Sequence, residues 1–392
     1  MRHREPSSSS PLMEKPHSPL STMRRTKGVC SGSLRCGVGI LVVITLASLV
    51  AFMLETSRTN GSHTIWNTYT VDPNHVKLVH SFVKQVLQRE CKPSFARKEM
   101  EARFSTSIQV QDHFLSKNSQ FTETIFQYPP PFGFKDLGGK LLEVLSLFPS
   151  PAKEEAAKSC RRCVVIGNGG ILRGLELGNL IDQFDVVIRL NSGPLREFSK
   201  DVGNKTTIRM SYPEGSPVVW EDVDPEVQFV AVVYKSVDFS WVKAMMKKER
   251  VSFWDWLFFW QRVPEEIPIG ISQFRILNPE IIRQTALDLL HFPAPQPKIW
   301  GWDQNVPTLG ISALNLATYL CDEVSLAGFG YNLSQPRAPL HYYEDVSMDA
   351  MLVQHMHDVD TERTLIGSLV RAGIMSDLTG GVHCSFCGND ES

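Results

Sequence analysis

Residues 160–191 read CRRCVVIGNGGILRGLELGNLIDQFDVVIRLN. The apolar runs at 164–166 and 184–190 do not alternate with polar residues, which is typical of strands covered on both faces of a parallel sheet. Between them, the glycines at 167–170 predict a tight loop and residues 171–181 predict a helix. Further strands are predicted at 229–234, 275–277 and 324–329, and further helices at 279–290 and 307–321. Strands that alternate with helices indicate an α/β fold with a mostly parallel sheet and flanking helices.

The composition of the whole chain fits a globular protein. Of 392 residues, 42% are hydrophobic and 21% are charged, so a mainly disordered chain is excluded. The chain has 40 Lys and Arg against 42 Asp and Glu, a formal net charge of −2. This balance excludes a protein that binds nucleic acid through its overall charge.

A long apolar run lies close to the N-terminus. Residues 37–54, GVGILVVITLASLVAFML, are 18 residues without a charge, near the lower limit for a transmembrane helix. Seven basic and two acidic residues precede the run, so the N-terminus is predicted to be cytosolic. The alternative is a cleaved signal peptide, but the run starts late and lacks a small-x-small cleavage site, which favours an anchor.

The chain is therefore divided into five parts. They are a cytosolic tail at 1–35, a transmembrane signal-anchor at 36–54, a stem at 55–71, a luminal domain at 72–381 and a C-terminal tail at 382–392. Asp72 and Pro73 predict the start of a helix that ends before Cys91, and the following segment to about residue 150 is predicted to be an irregular wrap on the main domain. A luminal domain allows N-glycosylation at the sequons of Asn60, Asn204 and Asn332.

Two Asp-x-Asp triplets and one Cys-x-x-Cys pair are candidate metal ligands. Asp222 with Asp224, and Asp358 with Asp360, supply oxygen atoms of the kind that hold divalent cations, although Asp222-Val-Asp-Pro also fits a turn. The pair Cys384/Cys387 lies in the predicted tail and fits a redox pair, a metal pair, an isolated disulfide or free thiols, so no role is assigned to it.

Two histidines are candidates for acid–base chemistry. His341 begins the sequence HYYE, and His357 begins HDVDTE. Histidine titrates near pH 6.5, which suits a general base or a phosphate partner, while a structural role is the alternative. A zinc site through His355 and His357 would need further spaced ligands that the sequence does not supply.

The strand, glycine loop and predicted helix at 163–181 favour a nucleotide site. Glycines let the backbone approach a phosphate, and a helix start presents free N–H groups. The dinucleotide fingerprint G-x-G-x-x-G is not present, because Leu172 stands where its last glycine is required.

Four segments together resemble the motifs of the animal sialyltransferase family, glycosyltransferase family 29. The long motif resembles residues 160–168, 184–191 and 202–215, and the short motif resembles residues 307–311 with 320–330. HYYE at 341–344 is similar to the third motif, and His357-x4-Glu362 is similar to the very short one. The similarity covers roughly residues 72–380 in the family's order.

The resemblance implies a Rossmann-like GT-A variant fold and inverting transfer of sialic acid from CMP-sialic acid without a metal or other cofactor. KSVDFSW at 235–241, FRILNP at 274–279 and AGFGYNL at 327–333 resemble members that act in alpha-2,3 linkage on the galactose of a glycolipid, lactosylceramide. The family resemblance also implies a single-pass type II protein of the Golgi membrane, and it allows a homodimer. The alternatives are transfer to glycoprotein galactose and an inactive luminal sugar-binding protein.

The resemblance implies a role for each motif residue. Asn168 and Asn191 bind the cytidine nucleotide, Thr308 and Gly310 hold phosphate or carboxylate, and His341 donates to the leaving phosphate. His357 is the general base. Glu362 and Tyr212 support the site. Disulfides are implied between Cys163 and Cys321, and between Cys91 and Cys160.

One further segment has no motif to explain it. Residues 253–260, FWDWLFFW, hold seven aromatic or Leu side chains in eight positions, preceded by Lys247, Lys248 and Arg250. Neither helical nor strand periodicity divides the segment into two faces. It is interpreted either as a buried core segment or as a loop at the acceptor site that touches the membrane interface.

Overall fold

The computed structural model describes residues 43–48, 70–108, 110–149, 159–295, 305–330, 339–345 and 357–387. The chain divides into two compact units, residues 1–66 and 67–392. In the first unit, residues 43–48 of the predicted anchor are helical. Among the described ranges, no helix combines the length and the apolar character that a membrane crossing requires.

The second unit is built on one eight-stranded sheet. The strands are β1 (Phe114–Leu115), β2 (Arg162–Ile166), β3 (Val186–Leu190), β4 (Ile208–Ser211), β5 (Gln228–Ala231), β6 (Phe274–Leu277), β7 (Glu323–Ala327) and β8 (Met375–Asp377). Their order across the sheet is β1-β6-β5-β4-β3-β2-β7-β8. Every neighbouring pair is parallel except β1 with β6, at the edge, which is antiparallel. The predicted fold class, a mostly parallel sheet with helices, is confirmed.

Ten α-helices are described in this unit. They are α1 (Pro73–Gln88), α2 (Phe95–Arg103), α3 (Gly138–Leu147), α4 (Gly178–Ile181), α5 (Ser199–Val202), α6 (Ser236–Lys247), α7 (Phe253–Trp256), α8 (Pro279–Gln284), α9 (Leu309–Leu320) and α10 (Val359–Arg371). Helix α1 starts as predicted, because the side chain of Asp72 accepts a hydrogen bond from the backbone N–H of Asn74 and Pro73 opens the helix.

The central strands are buried on both faces, which explains their runs of consecutive apolar residues, such as 163–166 in β2 and 186–188 in β3. In β2, Cys163 and Val165 pack into one core cluster, whereas Val164 and Ile166 pack into another. Successive side chains of a strand point to opposite faces, so helices on both sides of the sheet cover this strand.

The strand order reverses between β2 and β7. From β2 the chain adds β3, β4, β5 and β6 on one side, and then returns to place β7 and β8 on the other side. A crevice forms at such a switch point, outside the carboxyl ends of the two strands. The loops that follow Ile166 and Ala327 therefore face the position where a ligand is expected.

The helix predicted at 171–181 is wrong. The structure has a 3₁₀ turn at Gly170–Leu172, and α4 begins only at Gly178. Gly174 lies between them with φ of +80°, a left-handed conformation that ends a helix and that glycine adopts easily. The helix predicted at 279–290 is present at 279–289, but only α8 is α-helical and Thr285–Leu289 continues it as a π-helix.

The predicted irregular wrap before residue 150 contains α2, α3 and the edge strand β1. The structure also contains β4 and β8, which the sequence did not predict. The chain after residue 381 is packed where it is described. Val382 lies against one core cluster, and Phe386 packs on Phe82 with ring centroids 4.8 Å apart.

Three disulfides join the described cysteines. Cys91–Cys160 and Cys163–Cys321 are the two pairs that the family resemblance implies, and Cys384–Cys387 resolves the alternatives for the Cys-x-x-Cys pair. Of the three sequons, Asn204 is exposed, whereas Asn60 and Asn332 lie outside the described residues.

Candidate active site

A cleft of about 510 Å³ opens at the switch point between β2 and β7. Its lining includes residues 167–169 after β2, residues 328–330 after β7, and the starts of α9 and α10. All eight residues predicted to bind donor, act in catalysis or support the site lie in this lining: Asn168, Asn191, Tyr212, Thr308, Gly310, His341, His357 and Glu362. The structure thus brings together residues from six separate stretches of sequence.

The floor of the cleft depends on close approach of two backbone loops. A Cβ atom on Gly167 would lie 2.5 Å from the carbonyl oxygen of Gly328, so only glycine fits there. Asn168 follows directly, and its side-chain amide donates to the carbonyl oxygen of Leu190 at 3.4 Å. Asn191 ends β3 with φ of 51°, a left-handed conformation that Asn tolerates better than most residues.

The helix start that faces the cleft belongs to α9, and not to the segment after the glycine loop. Thr308 caps α9, because its hydroxyl accepts a hydrogen bond from the N–H of Ile311 at 3.3 Å. Thr308, Leu309 and Gly310 all line the cleft. The free N–H groups and the positive end of this helix dipole can therefore bind an anion.

Glu362, on α10, is bound to this cap. One carboxylate oxygen accepts from the backbone N–H of Thr308 at 2.7 Å, and the other accepts from the Thr308 hydroxyl at 2.5 Å. Burial raises the pKa of Glu362 to about 7, and the two hydrogen bonds from Thr308 oppose that rise only in part. Glu362 thus positions the start of α9 and, through it, any anion held there.

His357 lies just before α10, whose cap is Asp358. Its Nδ1 atom lies 2.7 Å from the carbonyl oxygen of Val306. A carbonyl oxygen can only accept, so Nδ1 carries a proton, and in the neutral ring the basic electron pair is on Nε2. Burial lowers the pKa of His357, while the hydrogen bond to Val306 raises it by less. The geometry and the burial therefore suit a base.

His341 lines the cleft next to the glycine loop. Its backbone forms an isolated antiparallel bridge with Gly169, and the next residue, Tyr342, donates from its N–H to the carbonyl oxygen of Asn168 at 3.0 Å. The His341 ring hydrogen-bonds Glu344 through Nδ1 and stacks on Tyr343 with centroids 5.2 Å apart. His341 is thereby fixed beside the loop that carries Asn168.

The sequence did not single out a polar group at the cleft wall. Lys235 contacts both carboxylate oxygens of Glu214, at 2.7 and 2.8 Å, and an Asp238 oxygen at 2.9 Å. Burial raises the pKa of Asp238 to about 6 against the opposing effect of Lys235. Lys235, Glu214, Tyr234 and Trp260 line the cleft beside Tyr212. Lys235 and Glu214 lie in family-like stretches, Tyr234 ends a predicted strand, and Trp260 belongs to the aromatic segment 253–260, but none of these signals pointed to the cleft.

The Asp triplets have structural partners. Asp222 binds the buried Arg209, and Asp224 accepts from the backbone N–H of Thr206. Asp358 caps α10, and Asp360 is exposed in its first turn. Within the described parts of the chain, no three His, Cys, Asp or Glu side chains are grouped so that they would hold a metal ion.

The profile of glycosyltransferase family 29 (sialyltransferase) matches residues 114–374. The chain belongs to this family. The matched part of this sialyltransferase-family chain runs from β1 to the residue before β8, and it includes all eight site residues named above.

Curated relatives extend the likeness beyond the profile. Human lactosylceramide alpha-2,3-sialyltransferase is 47% identical over 372 residues, covering 93% of this chain and 87% of that protein. Mouse CMP-N-acetylneuraminate-beta-1,4-galactoside alpha-2,3-sialyltransferase is 39% identical over 294 residues, covering 74% of this chain and 78% of that protein.

A solved structure shares the fold. The crystal structure of a mammalian sialyltransferase in complex with Gal-beta-1-3GalNAc-ortho-nitrophenol has a TM-score of 0.55 and 25% sequence identity. It covers 74% of this chain and 98% of that one. The likeness therefore extends over nearly the whole of that enzyme chain.

Proposed function

We propose that this protein transfers sialic acid from CMP-sialic acid to the terminal galactose of lactosylceramide, in alpha-2,3 linkage and with inversion. The observation that carries the proposal is one cleft that unites all eight predicted site residues, in a chain 47% identical to human lactosylceramide alpha-2,3-sialyltransferase. Transfer to glycoprotein galactose is the second candidate, because a relative whose name specifies a beta-1,4-galactoside acceptor without naming a lipid is 39% identical.

The donor lies across the switch point. Asn168 and Asn191 hydrogen-bond the cytidine nucleotide, one from the loop after β2 and the other from the end of β3. The start of α9, with Thr308 and Gly310, holds the phosphate or the sialic acid carboxylate, as helix N-termini hold anions. Glu362 acts through Thr308 by fixing the cap.

The chemical step is a single displacement. The galactose hydroxyl oxygen forms a bond to the anomeric carbon of sialic acid, and its proton passes to Nε2 of His357. The bond between that carbon and the phosphate oxygen breaks, and CMP leaves with the electron pair. His341 donates a hydrogen bond to the leaving phosphate, where negative charge develops. No metal ion or cofactor takes part in this proposed step.

We also propose that residues 36–54 anchor the protein in the Golgi membrane with residues 72–381 in the lumen. Support comes from the excess of basic residues before the apolar run, and from three disulfides, which persist in oxidising compartments. The relatives' names do not address location.

The experiment is an acceptor panel. The full chain is incubated with CMP-sialic acid and, separately, lactosylceramide, a soluble lactoside and a galactose-terminated glycoprotein. We expect CMP release with lactosylceramide, and a product whose linkage is alpha-2,3 by mass spectrometry after specific sialidase digestion. Preference for the glycoprotein would support the second candidate, and no CMP release with any galactoside would indicate an inactive sugar-binding protein.

A further inference from the structure

The segment 253–260, here called the aromatic patch, is exposed. Six of its side chains are between 52% and 74% accessible: Phe253, Trp254, Trp256, Leu257, Phe258 and Trp260. The interpretation of this segment as buried core is therefore wrong for six of its eight residues. Soluble monomers rarely expose a contiguous apolar surface of this kind unless it binds something.

The aromatic patch is held in place by its ends. The Ser252 hydroxyl caps α7 by accepting from the N–H of Asp255 at 3.1 Å, and it donates to the Asp255 carboxylate at 2.9 Å. Phe259 turns inward, packs on a core cluster and lies under the Lys235 ammonium, 4.8 Å from its ring centroid. The outward side chains are therefore presented by a fixed short helix and turn.

The aromatic patch borders the cleft. Trp260 belongs to both, since it is exposed and lines the cleft. The side-chain amide of the next residue, Gln261, donates to the backbone carbonyl of Glu214, and Lys235 contacts Phe259. Glu214 and Lys235 both line the cleft. The apolar surface is thus continuous with the mouth of the candidate active site.

The charges around the aromatic patch leave its centre neutral. Asp255 is half-buried and bonded to Ser252, and Lys247 pairs with Glu249 at 3.0 Å. Three exposed cations, Lys248, Arg250 and Arg262, flank the patch and form no ion pair with any described acidic residue. Two exposed acidic residues, Glu265 and Glu266, follow them in the sequence. Trp and Phe with flanking cations are the side chains that settle at a membrane interface.

We propose that the aromatic patch docks on the surface of a phospholipid bilayer and holds the mouth of the cleft against the membrane that contains the acceptor. This inference rests on the proposed function, because a glycolipid acceptor carries its sugar only a short distance above the bilayer. Trp254, Trp256 and Phe258 enter the interface, while Trp260 guides the sugar toward His357. Burial of apolar surface drives the docking, and the flanking cations add attraction to anionic lipids.

The test uses the full chain reconstituted in phosphatidylcholine vesicles that contain lactosylceramide. The patch variant is Phe253→Ser with Phe258→Ser, which alters two exposed side chains outside the cleft and leaves every tryptophan in place. The matched control is Leu78→Ser with Val223→Ser, two exposed apolar side chains elsewhere. Docking is read from quenching of tryptophan fluorescence by brominated phosphatidylcholine, and kcat/KM is measured for the vesicle acceptor and for a soluble lactoside.

We expect the patch variant to lose most of the quenching. Its kcat/KM for vesicle lactosylceramide should fall roughly tenfold, because the free energy gained by burying a Phe side chain typically corresponds to more than a tenfold change in a binding constant. Its kcat/KM for the soluble lactoside should stay within about twofold, and the control should match the parent in every assay. Unchanged quenching, or an equal loss with both acceptors, would overturn the inference and favour a protein partner or a role in folding. If the parent is quenched but transfers sialic acid to neither acceptor, docking stands and the proposed function fails.

Discussion

Arg209 and Asp222 form a buried ion pair beneath the cleft. The guanidinium nitrogens lie 2.6 and 2.9 Å from the two carboxylate oxygens, and both side chains are almost fully buried. The third nitrogen of Arg209 donates to the carbonyl oxygens of Asn191 and Gly193, at 3.0 and 3.1 Å. The pair therefore holds the turn that presents Asn191 to the cleft.

The first prediction is that Asp222→Ala destabilises the protein by about 3 to 5 kcal/mol, because it leaves the Arg209 charge buried without a partner. The midpoint of urea unfolding measures the loss. Asp360→Ala is the control, since Asp360 is exposed in the first turn of α10, and it should change stability little. Equal effects of the two substitutions would show that the ion pair does not support the fold.

The second prediction concerns chelation. Because Asp222 and Asp224 are already bonded to protein groups, and the leaving CMP carries less charge than a diphosphate, EDTA should leave activity unchanged. Activity is measured before and after chelation and again after manganese is added. Loss with EDTA and recovery with manganese would contradict the proposed metal-free step.

The third prediction concerns disulfides of different span. Cys163 and Cys321 are 158 residues apart, whereas Cys384 and Cys387 are 3 apart. Loop-closure entropy predicts a loss of roughly 5 kcal/mol when the first pair is replaced by Ser and roughly 2 kcal/mol for the second. Denaturation of the two double variants measures the difference. Similar losses would mean that the long loop is already restricted in the unfolded chain.

The fourth prediction concerns stability and pH. Burial raises the pKa of Glu362 from 4.5 to about 7, so the folded protein binds more protons than the unfolded chain between these values, and stability falls as pH rises through this window. The lowered pKa of His357 acts in the opposite direction, because stability rises with pH up to 6.5.

Glu362→Gln should therefore make the slope of the unfolding free energy against pH more positive between 4.5 and 7. Unfolding of parent and variant is measured at several pH values in this window. The His357 contribution is common to both proteins, so it cancels in the difference. Parallel curves would show that Glu362 does not titrate as its burial implies.

The central strands could be predicted because a strand that is covered on both faces of a sheet has apolar side chains at consecutive positions. Residues 164–166 are apolar throughout, and residues 184–190 are apolar except for Asp185 and Arg189; the two runs form most of β2 and β3, which are covered on both faces. Strand β4 was missed because its four residues, Ile208–Ser211, include only two apolar side chains, and these are separated by Arg209, whose buried charge is paired with the distant Asp222.

The residues of the cleft could be named from the family motifs, but the contacts between them could not be predicted. The bonds that assemble it join parts of the chain far apart in sequence, such as Thr308 to Glu362 and Val306 to His357. No local pattern encodes such contacts. The same limit applies to the aromatic patch, whose sequence has no periodicity and therefore gave no sign of which side chains face solvent.

The last prediction concerns the proposed base. His357→Ala should lower kcat by at least about a hundredfold, which is typical for loss of a general base. Since burial lowers the pKa of His357 below 6.5, the parent should show an acid limb of kcat/KM below pH 6.5, and the variant should lose it. His341→Ala should also lower turnover, but it should weaken CMP binding and keep the acid limb, because in the proposed step His341 donates to the leaving phosphate and takes no proton from the attacking hydroxyl. Turnover across pH and CMP binding by calorimetry separate the two roles. Activity of His357→Ala within a few-fold of the parent, or an acid limb that remains in this variant, would show that the proton passes to another group. The hydrogen bond from Nδ1 to Val306 would then serve only to join the start of α10 to the segment before α9.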